Sequence, residues 1–497
     1  MKAFAMHHTL GQHLSIPGPP PAAILGRWAN MLEFGRDPLG HAGRLFGRYG
    51  QVVVLAKGAK TNLYSPLDDC PATVLAYGPE ATRAASTQHN IYFKYPLSGP
   101  RYRLKDRSKR TAPLRHFAVG LFGVNLEEHR EHRRLVMPAF HTRRVGSYLD
   151  TMVEITESCL NGWRTGEQRN MMQELRVLTM RIATRTLFGA DIGERGRRIG
   201  PLLQRAFNAL AHPLSRLFPY DVPGLPFHRF LTLIGVLDSE MRRIIEQKRQ
   251  ASREGDDMLS ILLQARDSES GLALSEDELI GHTNVFFLAG HETTANALTW
   301  TLFLLSQHPG VAADLVDELE SVLHGAGPTL AQLEQLPLLD QVVKESLRMF
   351  TPAVFNGRVT SQPTQFCGYD LPAGTEVFVS IYHTHRMPEI FAEPTRFRPR
   401  RWDNSHPSIF EYNPFSAGPR MCIGWQFALQ EIKIVLALLM QRFRLQCVPN
   451  VVINRAASIV LTPERGLPMT IHAQDRRFHS GVGDVRGNVR EMVELPT

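Results

Sequence analysis

Phe415-Ser416-Ala417-Gly418-Pro419-Arg420-Met421-Cys422-Ile423-Gly424 holds one cysteine between glycines in a short turn that runs directly into a helix-forming segment. Gly418 can take a positive backbone dihedral at no steric cost and Pro419 fixes its own, which predicts a rigid pedestal with the Cys422 thiol pointing outward. The run from Trp425 to Leu439 is apolar and rich in helix formers, so Cys422 is expected beside the N-terminus of a buried helix. Unpaired amide N–H groups and the positive end of the helix dipole favour a thiolate there. A lone cysteine is more often an ordinary buried thiol, so a functional reading needs support from elsewhere in the chain.

That support begins in the stretch after Ser275-Glu276-Asp277-Glu278, a capping-box start followed by residues apolar on nearly every face as far as Gln307. A helix of this kind crosses the centre of a protein. It contains Ala289-Gly290-His291-Glu292-Thr293-Thr294, where two small residues allow close approach of a flat group and an acid and a hydroxyl interrupt the apolar surroundings. Thr293 is expected to bond the carbonyl of Ala289 and bend the helix. Position 295 is alanine, so the His-Glu-x-x-His zinc pattern fails at its second ligand.

The 497 residues carry 21% charged and 43% hydrophobic side chains, which suits a globular protein with an ample core rather than a disordered chain. With no linker, repeat or charge block, one domain over 1–497 is expected. Residues 1–21 read as an irregular, proline-rich entry and 475–497 as a loosely ordered tail. The formal charge of +8 is a modest basic excess, and its densest stretch, Arg101 to Arg110, matches no nucleic-acid module. Cys70, Cys159, Cys367, Cys422 and Cys447 are odd in number and scattered, which argues against a disulfide scaffold and for a reducing compartment. No signal peptide and no run of about 20 apolar residues is found, so a cytoplasmic protein without a membrane span is expected.

Helical periodicity predicts helices over 127–137, 148–160, 171–188, 228–252, 276–306, 309–323 and 338–349, and strands over 51–55, 72–76, 376–380 and 458–461. The fold class is therefore mostly α with a minor β portion.

The decapeptide resembles the haem-thiolate signature of the cytochrome P450 family, Phe-x-x-Gly-x-Arg-x-Cys-x-Gly, at every fixed position: Phe415, Gly418, Arg420, Cys422 and Gly424. The resemblance implies a single large haem domain of the soluble bacterial type, with Cys422 as the iron ligand and haem b as cofactor. It implies that Ala289 and Gly290 lie against the haem, that Thr293 supports oxygen at the iron, and that Glu292 helps relay protons. Glu345-Ser346-Leu347-Arg348 and Phe397-Arg398-Pro399-Arg400-Arg401-Trp402 are similar to the family's Glu-x-x-Arg helix and its Pro-x-Arg-aromatic segment. On that likeness Glu345, Arg348 and Arg401 form a buried network that supports the cysteine loop. Haem propionates need cationic partners, and His129, Arg133, Arg358 and Arg420 stand at matching positions.

The family's pocket segments here include Phe117, Leu121, Phe122, Phe218, Phe286, Phe287, Val354 and Phe355, which implies a hydrophobic small-molecule substrate. Residues of these types serve equally as core. The resemblance implies insertion of one atom of O2 into a C–H bond or a double bond, by a monomer fed by an external ferredoxin and ferredoxin reductase. Arg133, Arg134 and Lys433 are the cations expected to face that donor. A haem-thiolate oxidase, phenol-coupling enzyme or isomerase stays open as an alternative, as does a haem-binding sensor.

Overall fold

The computed structural model describes residues 14–495 except 22–25, 27, 59–62, 64, 66, 68–69, 96–107, 190–192, 213, 216–217, 251–254 and 458–459. Most of the basic stretch 101–110 and the side chain of Phe117 fall outside the described residues.

The helix Glu276–Gln307 crosses the main hydrophobic core. Its start is the expected capping box: Ser275 Oγ accepts from the Glu278 amide at 3.3 Å, and Glu278 Oε2 accepts from the Ser275 amide at 2.7 Å. At 1.5 Å per residue it is about 48 Å long, enough to reach across the molecule. Around it pack the helices Met171–Phe188, Ala112–Val119, Pro337–Met349, Trp425–Arg442 and Pro309–Leu323. The contact with Ala112–Val119 and the turn after it is unusually close. A Cβ on Gly281 would lie 2.4 Å from the His116 carbonyl oxygen and 3.0 Å from the Gly120 nitrogen, so the two backbones meet where no side chain fits.

The main sheet has five strands in the order Val52–Lys57, Ala72–Ala76, Glu376–Ser380, Phe355–Thr360 and Tyr92–Phe93. Every neighbouring pair is antiparallel except the parallel pair Ala72–Ala76 with Glu376–Ser380. A second sheet joins Gln168–Asn170, Pro468–Ala473 and Phe443–Cys447. The proline-rich entry is extended, and the Pro17 carbonyl caps the first sheet by accepting from the Val54 amide at 2.9 Å.

The strand expected over 458–461 lies partly outside the described residues, at 458–459; beside it Arg455–Ala457 pairs antiparallel with Leu461–Pro463. One expectation is corrected. The C-terminal segment described to residue 495 is not loose. Val485–Arg486 pairs with Val451–Val452, and Val485, Val489, Met492, Val493 and Leu495 enter the main core. Arg386 Nη2 donates to the Met492 carbonyl at 3.1 Å, and the Glu494 amide donates to the Thr395 carbonyl at 2.9 Å. These long-range hydrogen bonds replace the periodicity the segment lacks. Met492→Ala should therefore lower stability by about 2–5 kcal/mol in chemical denaturation; an unchanged midpoint would mean that the tail is not part of the core.

Candidate active site

Cys422 opens onto a cavity of about 710 Å³ enclosed between the cysteine loop and the central helix. The loop has the shape its glycines predict. Gly418 sits at φ +68°, and a Cβ there would lie 2.3 Å from the Ser86 carbonyl oxygen, so neither the dihedral nor the space admits a side chain. The Cys422 amide donates to the Phe415 carbonyl at 2.9 Å and closes the turn, and the helix Trp425–Arg442 starts three residues after the sulfur. Burial pushes the Cys422 thiol up, while the Gly424 N–H and the charges of Lys94 and Arg133 pull it back.

The expected triad forms without a gap. Glu345, fully buried, receives Arg348 Nε and Nη2 at 2.9 Å each, Arg401 Nε at 2.8 Å, Trp402 Nε1 at 3.1 Å and the Arg398 amide at 3.1 Å. Arg348 Nη1 continues to the carbonyls of His385 and Pro394, both at 2.9 Å. His385 carries the connection onward: its Nδ1 faces the Arg348 carbonyl at 3.2 Å, and its Nε2 accepts from the Asn413 amide at 2.9 Å. The Asn413 carbonyl then accepts from the Ser416 amide at 2.8 Å, inside the cysteine loop. His385 and Asn413 are missing from the sequence reading because they lie in no local pattern with the triad.

On the opposite wall, Ala289, Gly290 and Thr293 line the cavity, and a Cβ added to Gly290 would meet nothing within 4 Å. Thr293 Oγ1 donates to the Ala289 carbonyl at 2.6 Å, as expected, and Thr294 Oγ1 repeats the pattern with Gly290 at 2.8 Å. Glu292 lies on another face of the helix. It does not line the cavity; its Oε1 takes an ion pair and hydrogen bond from Arg176 Nη2 of the helix Met171–Phe188. His291 is a core histidine, its Nδ1 2.8 Å from the Phe287 carbonyl, and no group of three or more metal-ligating residues occurs among the described residues.

Leu121, Phe122, Phe286, Phe355 and Phe415 line the cavity with the edge residues His129, Arg133 and Arg420. Arg133 Nη1 donates to the Met421 carbonyl at 2.9 Å, and Arg420 bonds the carbonyls of Leu121 and Val124. Burial, then Arg420 and Arg133, lower His129 to about 3, so it is neutral. Arg358 stands behind the wall: it is 1% exposed, with Nη1 bonded to Asn356 Oδ1 and the Gly357 carbonyl. Val354 and Phe287 are buried core, and Phe218 is exposed at the surface; an apolar residue type alone does not tell these positions apart. Lys94, not foreseen, also lines the cavity.

The cations expected to face an electron donor are engaged internally. Arg133 turns inward to Met421, Arg134 pairs with Asp267 at 2.8 Å and Glu269 at 3.2 Å, and Lys433 pairs with Asp340 at 2.5 Å.

A cavity with one thiol, small residues at Ala289 and Gly290 on the helix opposite it, and cations along one edge suits a flat group carrying a metal and two carboxylates. The sequence pattern of the family described as Cytochrome P450 matches residues 17–468. The chain is 34% identical over 386 residues to cyclooctatin synthase of Streptomyces melanosporofaciens, covering 75% of this chain and 82% of that one. It is 28% identical over 475 residues to pentalenene oxygenase of Streptomyces avermitilis, covering 94% and 99%. The fold superposes on retinoic acid-bound cyanobacterial CYP120A1 with a TM-score of 0.78 at 25% identity, over 93% of this chain and all (100%) of that one.

Burial holds the His385 imidazole near 3 with Arg348 adding to the effect, against 6.5 for the free group. Its contribution to stability is complete above the unfolded value and is lost as pH falls from there towards 3. At pH 5 the loss is about 2 kcal/mol for this residue. His385→Gln should flatten the decline of thermal stability between pH 7 and pH 5, measured by calorimetry; an unchanged slope would show that His385 is not held neutral.

Proposed function

This chain belongs to the cytochrome P450 family and is a haem b monooxygenase, and from that premise we propose that its substrate is an apolar carbon skeleton oxygenated at a C–H bond or a double bond. The observation that carries the proposal is the cavity lining. Val285, Phe286, Leu187, Ala353, Phe355 and Phe378 surround its body, and no acidic residue is among the described residues that line it. An amine would lose its hydration without an anion to replace it, whereas a hydrocarbon or a mono-alcohol loses little. The names of the relatives agree, one a pentalenene oxygenase and one a cyclooctat-9-en-7-ol 5-monooxygenase.

In this reading Cys422 would hold the haem iron, and haem would supply the chemistry of dioxygen activation. Phe415, Gly418 and Gly424 shape the loop around the sulfur, and Ala289 and Gly290 leave room on the opposite face. Arg133, Arg420 and neutral His129 meet the haem edge, with Arg358 acting from behind the wall. Glu345, Arg348 and Arg401 hold the loop through His385 and Asn413 and touch no reactant. Thr293 lines the cavity with its hydroxyl proton tied to the Ala289 carbonyl, which leaves the oxygen as an acceptor for one water. Glu292 would deliver protons from outside the cavity, its carboxylate held by Arg176. The electron donor is proposed to be a separate ferredoxin with its reductase; the formal charge of +8 suits an acidic carrier. The free cysteines fit a reducing, cytoplasmic setting.

A panel of cyclic hydrocarbons, their alcohols, amines and carboxylates should separate by the shift each causes in the haem absorbance. Neutral apolar members are expected to bind and to give mono-oxygenated products; selective binding of amines would contradict the assignment. Thr293→Ala should keep haem and substrate binding but divert most reducing equivalents to peroxide, read as the ratio of peroxide to product. An unchanged ratio would remove Thr293 from the reaction.

A further inference from the structure

Lys94 is a cavity-lining cation that the sequence motifs do not reach. It follows the edge strand Tyr92–Phe93, far in sequence from the cysteine loop, yet its side chain lines the cavity together with His129, Arg133, Arg420 and Cys422. Its backbone is clamped on both sides by one amide. The Lys94 N–H donates to Asn125 Oδ1 at 3.0 Å, and Asn125 Nδ2 donates to the Lys94 carbonyl at 3.0 Å. The same Asn125 Oδ1 accepts from Arg420 Nη2 at 2.7 Å. One side chain thus ties a lysine and an arginine from distant parts of the chain to a single point on the cavity edge.

Bringing these cations together is unfavourable without an anion. Burial, then Arg358 and Arg420, hold the Lys94 ammonium down to about 7, and only the Cys422 sulfur acts in the other direction. Among the described residues no carboxylate comes within ion-pair distance of Lys94; its Nζ lies 4.3 Å from the centre of the Phe122 ring. An aromatic face is weaker compensation than a carboxylate for an ammonium withdrawn from water.

We propose that Lys94 binds one carboxylate of the haem edge, with Asn125 as the residue that positions it beside Arg420. The proposal rests on the haem reading given above and adds a residue to it. Lys94 donates up to three hydrogen bonds as a compact point charge, complementing the planar fork of Arg420. Phe122 flanks the ammonium and shields that ion pair from water on the pocket side, which links the haem edge to the wall of the substrate cavity.

The test uses purified holoenzyme and two readouts other than turnover: the rate of haem loss to an excess of a haem-scavenging apoprotein, and the resonance Raman bending mode of the haem carboxylates. Lys94→Met keeps the length and removes the charge; it should release haem ~10-fold faster, the scale of one charge-assisted hydrogen bond, and shift the bending mode. Lys94→Arg should restore both. Asn125→Ala should move both readouts in the direction of Lys94→Met. A wild-type release rate and an unmoved bending mode in Lys94→Met would overturn the proposal while leaving the thiolate-ligated spectrum, and so the haem reading, intact. If Lys94→Met does not fold, Lys94→Gln makes the same comparison. Loss of haem binding in the wild type itself would defeat the parent reading instead.

Discussion

Glu345 is a carboxylate with no access to water, and the cysteine loop depends on how that charge is matched. Three side chains and one backbone amide meet its two oxygens, so its desolvation is offset by hydrogen bonds on both lone-pair faces. Removing Glu345 itself would leave the Arg348 and Arg401 guanidiniums without their carboxylate, at a cost of about 3–5 kcal/mol. The matched network also transmits position. From Arg348 it passes through His385 and Asn413 to the Ser416 amide, six residues from the sulfur, so the helix Pro337–Met349 and the thiol are held by one hydrogen-bonded path. A sulfur carried on a glycine-rich turn alone would lack this definition.

The opposite wall solves a complementary problem. The central helix has to be rigid enough to cross the core and open enough to leave space above Gly290. Thr293 and Thr294 tie their hydroxyls back to the carbonyls of Ala289 and Gly290 on the cavity side, while Arg176 and the Met171–Phe188 helix hold the outer face. The acid and the alcohol are adjacent in sequence yet face different surroundings: Thr293 looks into the cavity and Glu292 into an ion pair. Their separation puts the carboxylate outside the apolar chamber, where it is paired with Arg176.

How much of this was legible in the sequence follows from how local each signal is. The helices Met171–Phe188, Pro309–Leu323 and Glu276–Gln307 lie within a residue of their expected limits, the first two because their burial repeats at the helical period and the third because a capping box and a proline bound a long apolar run. The triad and the cysteine loop were legible because their residues sit in short motifs. The C-terminal segment was not, since its buried residues sit in an extended pair and a single 3₁₀ turn tied by Arg386 and Arg455 from far upstream. Arg176, His385, Asn413 and Lys94 escaped for the same reason: each meets the site only through the fold. Val354 shows the opposite error, an apolar residue near the cavity whose side chain is packed into the core.

All of these features converge on one sulfur at the floor of the cavity, and the proposed function makes it an iron ligand. The most direct measurement is the absorbance of the reduced protein under carbon monoxide. The account predicts a strongly red-shifted Soret band that Cys422→Ala abolishes, even where haem is retained. A wild-type band at the position given by histidine-ligated haem, or a red-shifted band that survives Cys422→Ala, would contradict it.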